Sequence, residues 1–378
     1  MAIHINDLTG VKNMRLRFLV VSLVVLALSA GTGYAQTFTG TVDGYWSYNS
    51  NTPDNPVGSH TNSFRAFDFR DQTFSMNYGE LAVDYKPNDI GLRVDFGFGD
   101  AANVVHAFEP AGQNLWRHIQ QAYLTATKGK LTADFGKFVT PIGAEVIETK
   151  DNWNYSRGIL FTWAIPFYHF GARANVVAND KVTLGGYVTN GWNNVQDNNT
   201  AKSVGFVGTF KPHSKITLVQ NYLVGKEKFG SDDIRQLYDG IITINVVDSL
   251  TLMGNYDYGM DRFSPIFPAT TGSRAIWQGA AGYLRWKNDR LALASRYEWF
   301  DDRQGFMTGI AQQLESFTAT ATIPWSDLSL WAEYRRDWSD QSTFVKTEPG
   351  TFGPLQSFVD HQNTFTIGVT YAFTKMVN

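Results

Sequence analysis

From Gln36 onward, apolar and polar residues alternate with period two in runs of about nine to eleven residues. The first run sets Phe38, Gly40, Val42, Gly44 and Trp46 against Thr39, Thr41, Asp43, Tyr45 and Ser47. Later runs repeat the arrangement. Leu92, Val94, Phe96 and Phe98 oppose Arg93, Asp95 and Gly97, and Phe365, Ile367, Val369, Tyr371 and Phe373 oppose Thr364, Thr366, Gly368 and Thr370. Side chains of a strand point alternately to opposite faces, so each run predicts a strand with one apolar and one polar surface. Sixteen are predicted, at 37–49, 74–85, 90–98, 118–127, 131–138, 168–177, 182–191, 202–210, 215–224, 235–246, 250–258, 276–286, 291–300, 313–322, 328–338 and 363–373. Tight polar turns such as Lys86-Pro87-Asn88-Asp89, Lys211-Pro212-His213-Ser214 and Pro324-Trp325-Ser326-Asp327 alternate with long loops rich in Asn, Gly, Asp and aromatics.

Such strands have two homes: a soluble sheet with its apolar face inward, or an outer-membrane barrel with that face toward lipid. Three features favour lipid. The runs are longer than ordinary soluble strands. Their polar face carries charges and glycine, a poor filling for a dry core. Aromatics gather at the strand ends, with Tyr85, Phe210, Trp286 and Phe373 near the turns and Phe98, Tyr258 and Trp299 near the loops, as interfacial girdles would. The prediction is an all-β fold over residues 36–378: a closed antiparallel transmembrane β-barrel of about 16 strands, with short periplasmic turns and long extracellular loops. Closure is required because an open sheet edge in hydrocarbon would leave unpaired amides. Residues 64–72 and 160–167 are compatible with a further pair of strands.

The first residues change the picture by placing the chain outside the cytoplasm. Arg15 and Arg17 precede an apolar run from Phe18 to Ala30, and Gly33-Tyr34-Ala35 has the small-x-small form of a signal-peptidase site. Residues 1–35 are therefore predicted to be a signal peptide cleaved after Ala35, with Met14 a candidate for the true start. Losing Asp7, Lys12, Arg15 and Arg17 with it makes the formal charge of −3 two units more negative, which gives no support for nucleic-acid binding. The absence of Cys excludes a disulfide framework and any thiolate metal site.

Candidate chemistry lies on the polar face. Arg93, Asp95, Asp134, Arg173, Arg285, Arg296, Glu298, Glu333 and Arg335 are predicted to line the lumen, where Arg296/Glu298 and Glu333/Arg335 are spaced to pair. The long connection 139–167 carries Glu145, Glu148 and Asp151. Folded inward, it would set those acids opposite wall arginines in a charged constriction. A unit pair about 6 Å apart in water interacts by only ~0.7 kcal/mol, so weak ion selectivity is expected. Trp153, Tyr155, Trp163 and Phe167 of the same connection either pack against the wall or form an aromatic surface for sugar rings. Gly97-Phe98-Gly99-Asp100-Ala101-Ala102 imitates a dinucleotide-binding fingerprint, but no helical periodicity follows it. The histidines, His106, His118 and His169 among them, show no metal-ligand spacing, and no Ser–His pair suits a hydrolase at the barrel rim. No enzyme activity and no cofactor are expected.

Several segments resemble the beta-barrel porin-2 (OmpL-like) family: Phe67-Asp68-Phe69-Arg70, Gly91 to Gly99, Gly136-Lys137-Phe138 with Pro141-Ile142-Gly143-Ala144-Glu145, and Asn152 to Arg157. Pro166-Phe167-Tyr168-His169, Val188 to Trp192, Glu333 to Trp338 and His361 to Phe373 fit the same pattern. The resemblance implies a Gram-negative outer-membrane porin for small hydrophilic solutes, in contact with outer-membrane lipids, and adds Glu145, Trp153, Arg157 and His169 as constriction candidates. An oligosaccharide-specific channel and a plugged adhesive barrel are the alternatives. A homotrimer is a common solution for barrels of this size. Strand 363–373 has the form that barrel-insertion machinery reads. Such barrels commonly end on an aromatic, however, and here Thr374 to Asn378 follow Phe373. Deleting 374–378 is accordingly expected to preserve or improve assembly.

Overall fold

The computed structural model describes residues 36–54, 60–107, 109, 115–228, 231–263, 273–350 and 355–377; the predicted leader, 1–35, lies outside them. Period-two alternation yields strands β1 (Gln36–Asn49), β2 (Ser75–Tyr85), β3 (Ile90–Phe98), β4 (Ile119–Lys128), β5 (Leu131–Val139), β6 (Tyr168–Asn179), β7 (Val182–Thr189) and β8 (Ser203–His213). They continue with β9 (Ile216–Lys226), β10 (Ile234–Val247), β11 (Leu250–Phe263), β12 (Ser273–Lys287), β13 (Ala292–Asp302), β14 (Gln312–Trp325) and β15 (Leu328–Ser339). A small hairpin, β16 (Phe344–Glu348) and β17 (Leu355–Val359), precedes β18 (His361–Val377). Every strand except β16 and β17 belongs to one closed antiparallel barrel in which each pairs with its sequence neighbours, β15 passes to β18, and β18 closes on β1. No helix of the described residues is long and apolar enough to cross a membrane.

The two faces separate as their residue types require. In β18, Phe365, Ile367, Val369 and Tyr371 point outward and are exposed, whereas Thr364, Thr366 and Thr370 are buried inside. Leu81, Leu124, Phe135, Phe206, Leu284 and Phe317 continue the outward apolar band, which in water would be a liability and in a bilayer is the solvated surface. Phe98 and Tyr258 at the loop ends, and Phe373 near the turns, are also outward and exposed.

The predicted runs all become barrel strands, with ends moved by a few residues. Three differences have local causes. β8 continues through Lys211 and Pro212 by a register shift between Phe210 and His213, so the predicted turn contracts. β14 likewise runs through Pro324 and Trp325, leaving a two-residue turn whose Ser326 takes a left-handed φ of 55°. Residues 64–72 and 160–167 add no barrel strand: Thr61 and Arg70 form a single bridge, and Leu160–Ala164 forms a π-helical turn. One further expectation fails. A six-residue helix, α1 (Asp100–Val105), does follow Gly99, although β3 and β4 pair antiparallel and leave no crossover for a nucleotide-binding unit. Residues 374–377, whose deletion is expected from sequence alone to preserve or improve assembly, pair with Thr39, Phe38, Thr37 and Gln36 of β1.

Candidate functional site

The connection from β5 to β6 leaves the wall on one side and meets it on the other. In the ring of strands, β13 and β14 stand opposite β5 and β6, and the connection reaches both. Wall carboxylates take up its backbone and hydroxyl donors. Glu333 accepts from the amides of Tyr155 at 2.6 Å and Ser156 at 3.0 Å, and from the Thr320 hydroxyl at 2.7 Å. Asp43 of β1 accepts from Thr149 Oγ1, from the Tyr155 hydroxyl at 2.5 Å and from the Asn77 amide at 2.6 Å.

Wall arginines do the converse. Arg296 donates to Glu145 Oε1 at 2.5 Å, to the Ser156 carbonyl at 2.8 Å and to Thr318 at 3.1 Å, and its Nε lies 2.9 Å from Glu298. Arg335 donates to the Arg157 carbonyl at 2.6 Å and to Asp337 at 2.7 Å. Glycines let the connection come this close. A Cβ on Gly368 of β18 would collide with the Tyr155 ring, and one on Gly158 with the Glu298 carboxylate.

The predicted residues therefore divide into groups. Glu145, Arg296 and Glu298 come together, all buried. Glu333 and Arg335 do not pair with each other: Glu333 holds amides, and Arg335 takes Asp337, two positions along its own strand. Arg157 makes no ion pair among the described residues; its guanidinium donates to the carbonyls of Val146, Ile147 and Tyr155 and to Thr149. His169 is buried between the Gly191 carbonyl at 3.0 Å and Thr140 at 3.1 Å, away from the carboxylates.

Of the three loop acids, only Glu145 meets a wall arginine. Asp151 pairs at 2.5 Å with neighbouring Lys150. Burial raises the Glu148 carboxyl above its ordinary range, and the negative charges of Asp151 and Asp95 add to the shift. The aromatic quartet does not form one surface. Tyr155 is buried against Tyr45 and Trp331, and Trp153 stands edge-on to Tyr283. Trp163 and Phe167 instead line a separate cavity at the loop end of the barrel.

A second set of charges stays on the water side. Arg93 pairs with Asp95 at 2.9 Å, and Asp134 with Arg173 at 2.7 Å. In both pairs the arginine is the more accessible member, at 34% against 0% and 21% against 7%. Arg285 lies over the Trp153 ring at 5.9 Å and has no ion-pair partner among the described residues. Lys150, Trp153 and Arg285 share a cavity of about 260 Å³ near the turn end.

Sequence reasoning missed Asp43, Arg65 and Asp337. Arg65 pairs with Asp68 and, at 2.9 Å, with Asp337. Asp43 had a usable signal as the only charge on the polar face of the first run. Asp337 had another, its spacing of two from Arg335. Arg65 lies in a loop and carried none.

Known structures share this architecture at low identity. An anion-selective porin from Comamonas acidovorans is 8% identical, with 90% of this chain and 100% of that one covered and a TM-score of 0.60. OmpT of Vibrio cholerae is 12% identical over 91% and 99%, with a TM-score of 0.58. The outer membrane channel DcaP of Acinetobacter baumannii is 13% identical over 91% and 99%, with a TM-score of 0.57. Among curated protein sequences nothing matches the chain. The profile described as "Putative beta-barrel porin-2, OmpL-like" matches residues 36–373, and with nearly the whole barrel inside that match the chain belongs to this family of outer-membrane porins.

Proposed function

We propose that this porin carries small hydrophilic solutes and ions passively across the outer membrane, with a weak preference for anions, through a lumen narrowed by residues 139–167. The observation that carries the sign is the unequal exposure of the wall pairs: Arg93 and Arg173 face water while Asp95 and Asp134 are withdrawn from it. Arg285 adds an uncompensated cation. Basic rings lining a pore favour anions. Each such charge about 6 Å from the ion path contributes only ~0.7 kcal/mol in water, so the preference is a few-fold. Glu145 takes no part in setting the sign, since it is buried against Arg296 and away from the ion path.

The test is the reversal potential of the refolded barrel in a planar bilayer under a potassium chloride gradient. A chloride-to-potassium permeability ratio above one supports the reading, and a cation-selective current overturns its sign. No current from a folded barrel overturns the channel itself. The same reading includes a homotrimer, supported by the trimer form in which Vibrio cholerae OmpT is known. A monomeric mass in mild detergent would count against it.

A further inference from the structure

At the loop end of the barrel, the return limb of the β5–β6 connection, the β7–β8 loop and the β13–β14 loop enclose a cavity of about 510 Å³. Its wall is mixed. Trp163, Phe167, Trp192 and Phe306 supply aromatic surface, and Glu109 and Asn194 supply polar groups. The indoles are held in place. Trp163 Nε1 donates to the Phe64 carbonyl at 3.1 Å, and the Trp192 ring stands edge-on to Trp277 at 6.2 Å. Arg235, paired with Asp261 at 2.9 Å, packs on the rings of Trp192 at 5.0 Å and Phe306 at 5.3 Å.

One buried polar group is left over. Glu109 is 5% exposed. Its Oε1 accepts from the Tyr168 hydroxyl at 2.8 Å and from Lys137 at 3.3 Å, while its Oε2 has no hydrogen-bond partner among the described residues. Asn194, partly exposed, lines the same cavity, and its side-chain amide makes no hydrogen bond among the described residues. A buried acceptor without a donor is costly and is normally satisfied. The missing partner is a donor without negative charge, because a carboxylate oxygen repels anions. No group of ligating side chains suited to a metal ion occurs among the described residues.

We propose that this cavity is a binding subsite for a neutral saccharide of two to three rings at the outer mouth of the channel. The C–H faces of the sugar lie on the indoles, one hydroxyl donates to Glu109 Oε2, and Asn194 gives and takes a hydrogen bond. Apolar walls with a few fixed polar groups are the usual construction of such sites. The inference deepens the proposed function and rests on the same open lumen for the onward path of the ligand.

The test is titration calorimetry of the folded full-length barrel in detergent with sucrose and with maltotriose, using sorbitol as an acyclic polyol control. In parallel, each sugar is added to the loop side of a planar bilayer. Saturable heat with either sugar and none with sorbitol is expected, along with sugar-induced interruptions of current. Asn194→Ala should weaken binding by ~10-fold, the scale of one lost neutral hydrogen bond. Trp192→Ala should abolish it. Absence of saturable heat with both sugars overturns the subsite, as does binding that neither substitution alters. Calorimetric binding to a barrel that passes no current would keep the subsite and overturn the channel. Current without binding does the reverse.

Discussion

Replacing Arg296 by Met should release the β5–β6 connection from the wall without unfolding the barrel. The guanidinium has contacts of 2.5 Å to Glu145, 2.8 Å to the Ser156 carbonyl and 2.9 Å to Glu298, all away from water. Met fills similar volume but leaves Glu145 and Glu298 buried without a cation. Removing one partner of a buried ion pair costs about 3–5 kcal/mol. Part of that cost is escaped if the loop moves and water reaches the carboxylates, so it falls mainly on the loop-closed state. At about 1.4 kcal/mol per decade, the ratio of closed to released loop falls by roughly two to three and a half orders of magnitude. The assay is single-channel recording, paired with trypsin digestion of the folded barrel, in which Lys150 is the reporter bond. The variant should flicker to larger conductance and be nicked at Lys150, while the parent holds one level and resists. Adding Glu145→Gln should recover part of the loss, because one stranded charge is then gone. If Arg296→Met keeps a steady conductance and remains protease-resistant in a folded barrel, the charges are not what hold the loop.

Other outcomes follow from the same contacts. A carboxyl raised by burial stays neutral above the ordinary carboxylate range and ionises as pH rises, so Glu148 should reduce anion preference toward alkaline pH, and Glu148→Gln should abolish that drift in reversal potential. Arg93→Gln with Arg173→Gln should lower the chloride-to-potassium permeability ratio by a few-fold, whereas Glu145→Gln alone should leave its sign unchanged. Gly368→Val should displace the Tyr155 ring from β18 and weaken its bond to Asp43, read as increased open-channel noise; a silent substitution would show that the ring has room elsewhere. Deleting residues 374–378 should lower the melting temperature of the barrel and its refolding yield, since it removes the pairing of Thr374 to Val377 with β1. Unchanged yield would restore the reading of this segment as a dispensable tail.

The barrel was legible because lipid and water impose opposite demands on successive residues, and β18 shows the result in its alternation of Phe365, Ile367 and Val369 with Thr364, Thr366 and Thr370. The bulge at Phe210/His213 was not, because a register shift alters pairing without altering composition. The contacts of the inner loop were less legible still. Glu145 meets Arg296, Thr149 meets Asp43 and Tyr155 meets Glu333, across separations that no local pattern reports. Spacing of two suggested that Glu333 and Arg335 pair. The amides of Tyr155 and Ser156 compete for Glu333 instead, and sequence carries no sign of them.

The seam where β18 meets β1 bears on how this molecule comes into being. Gln36 lies opposite Val377 and Asn49 opposite Thr364, so the most widely separated segments of the described chain are hydrogen-bonded neighbours. Every other pair in the wall joins strands separated by a far shorter stretch of chain, so this one has the largest loop-closure entropy in the fold and forms after them. Until it forms, β1 and β18 each present an unsatisfied edge that hydrocarbon will not tolerate and that another chain could capture. Completion is therefore a single late event. A nascent barrel lacking only its last strand is the species most exposed to aggregation and most in need of protection.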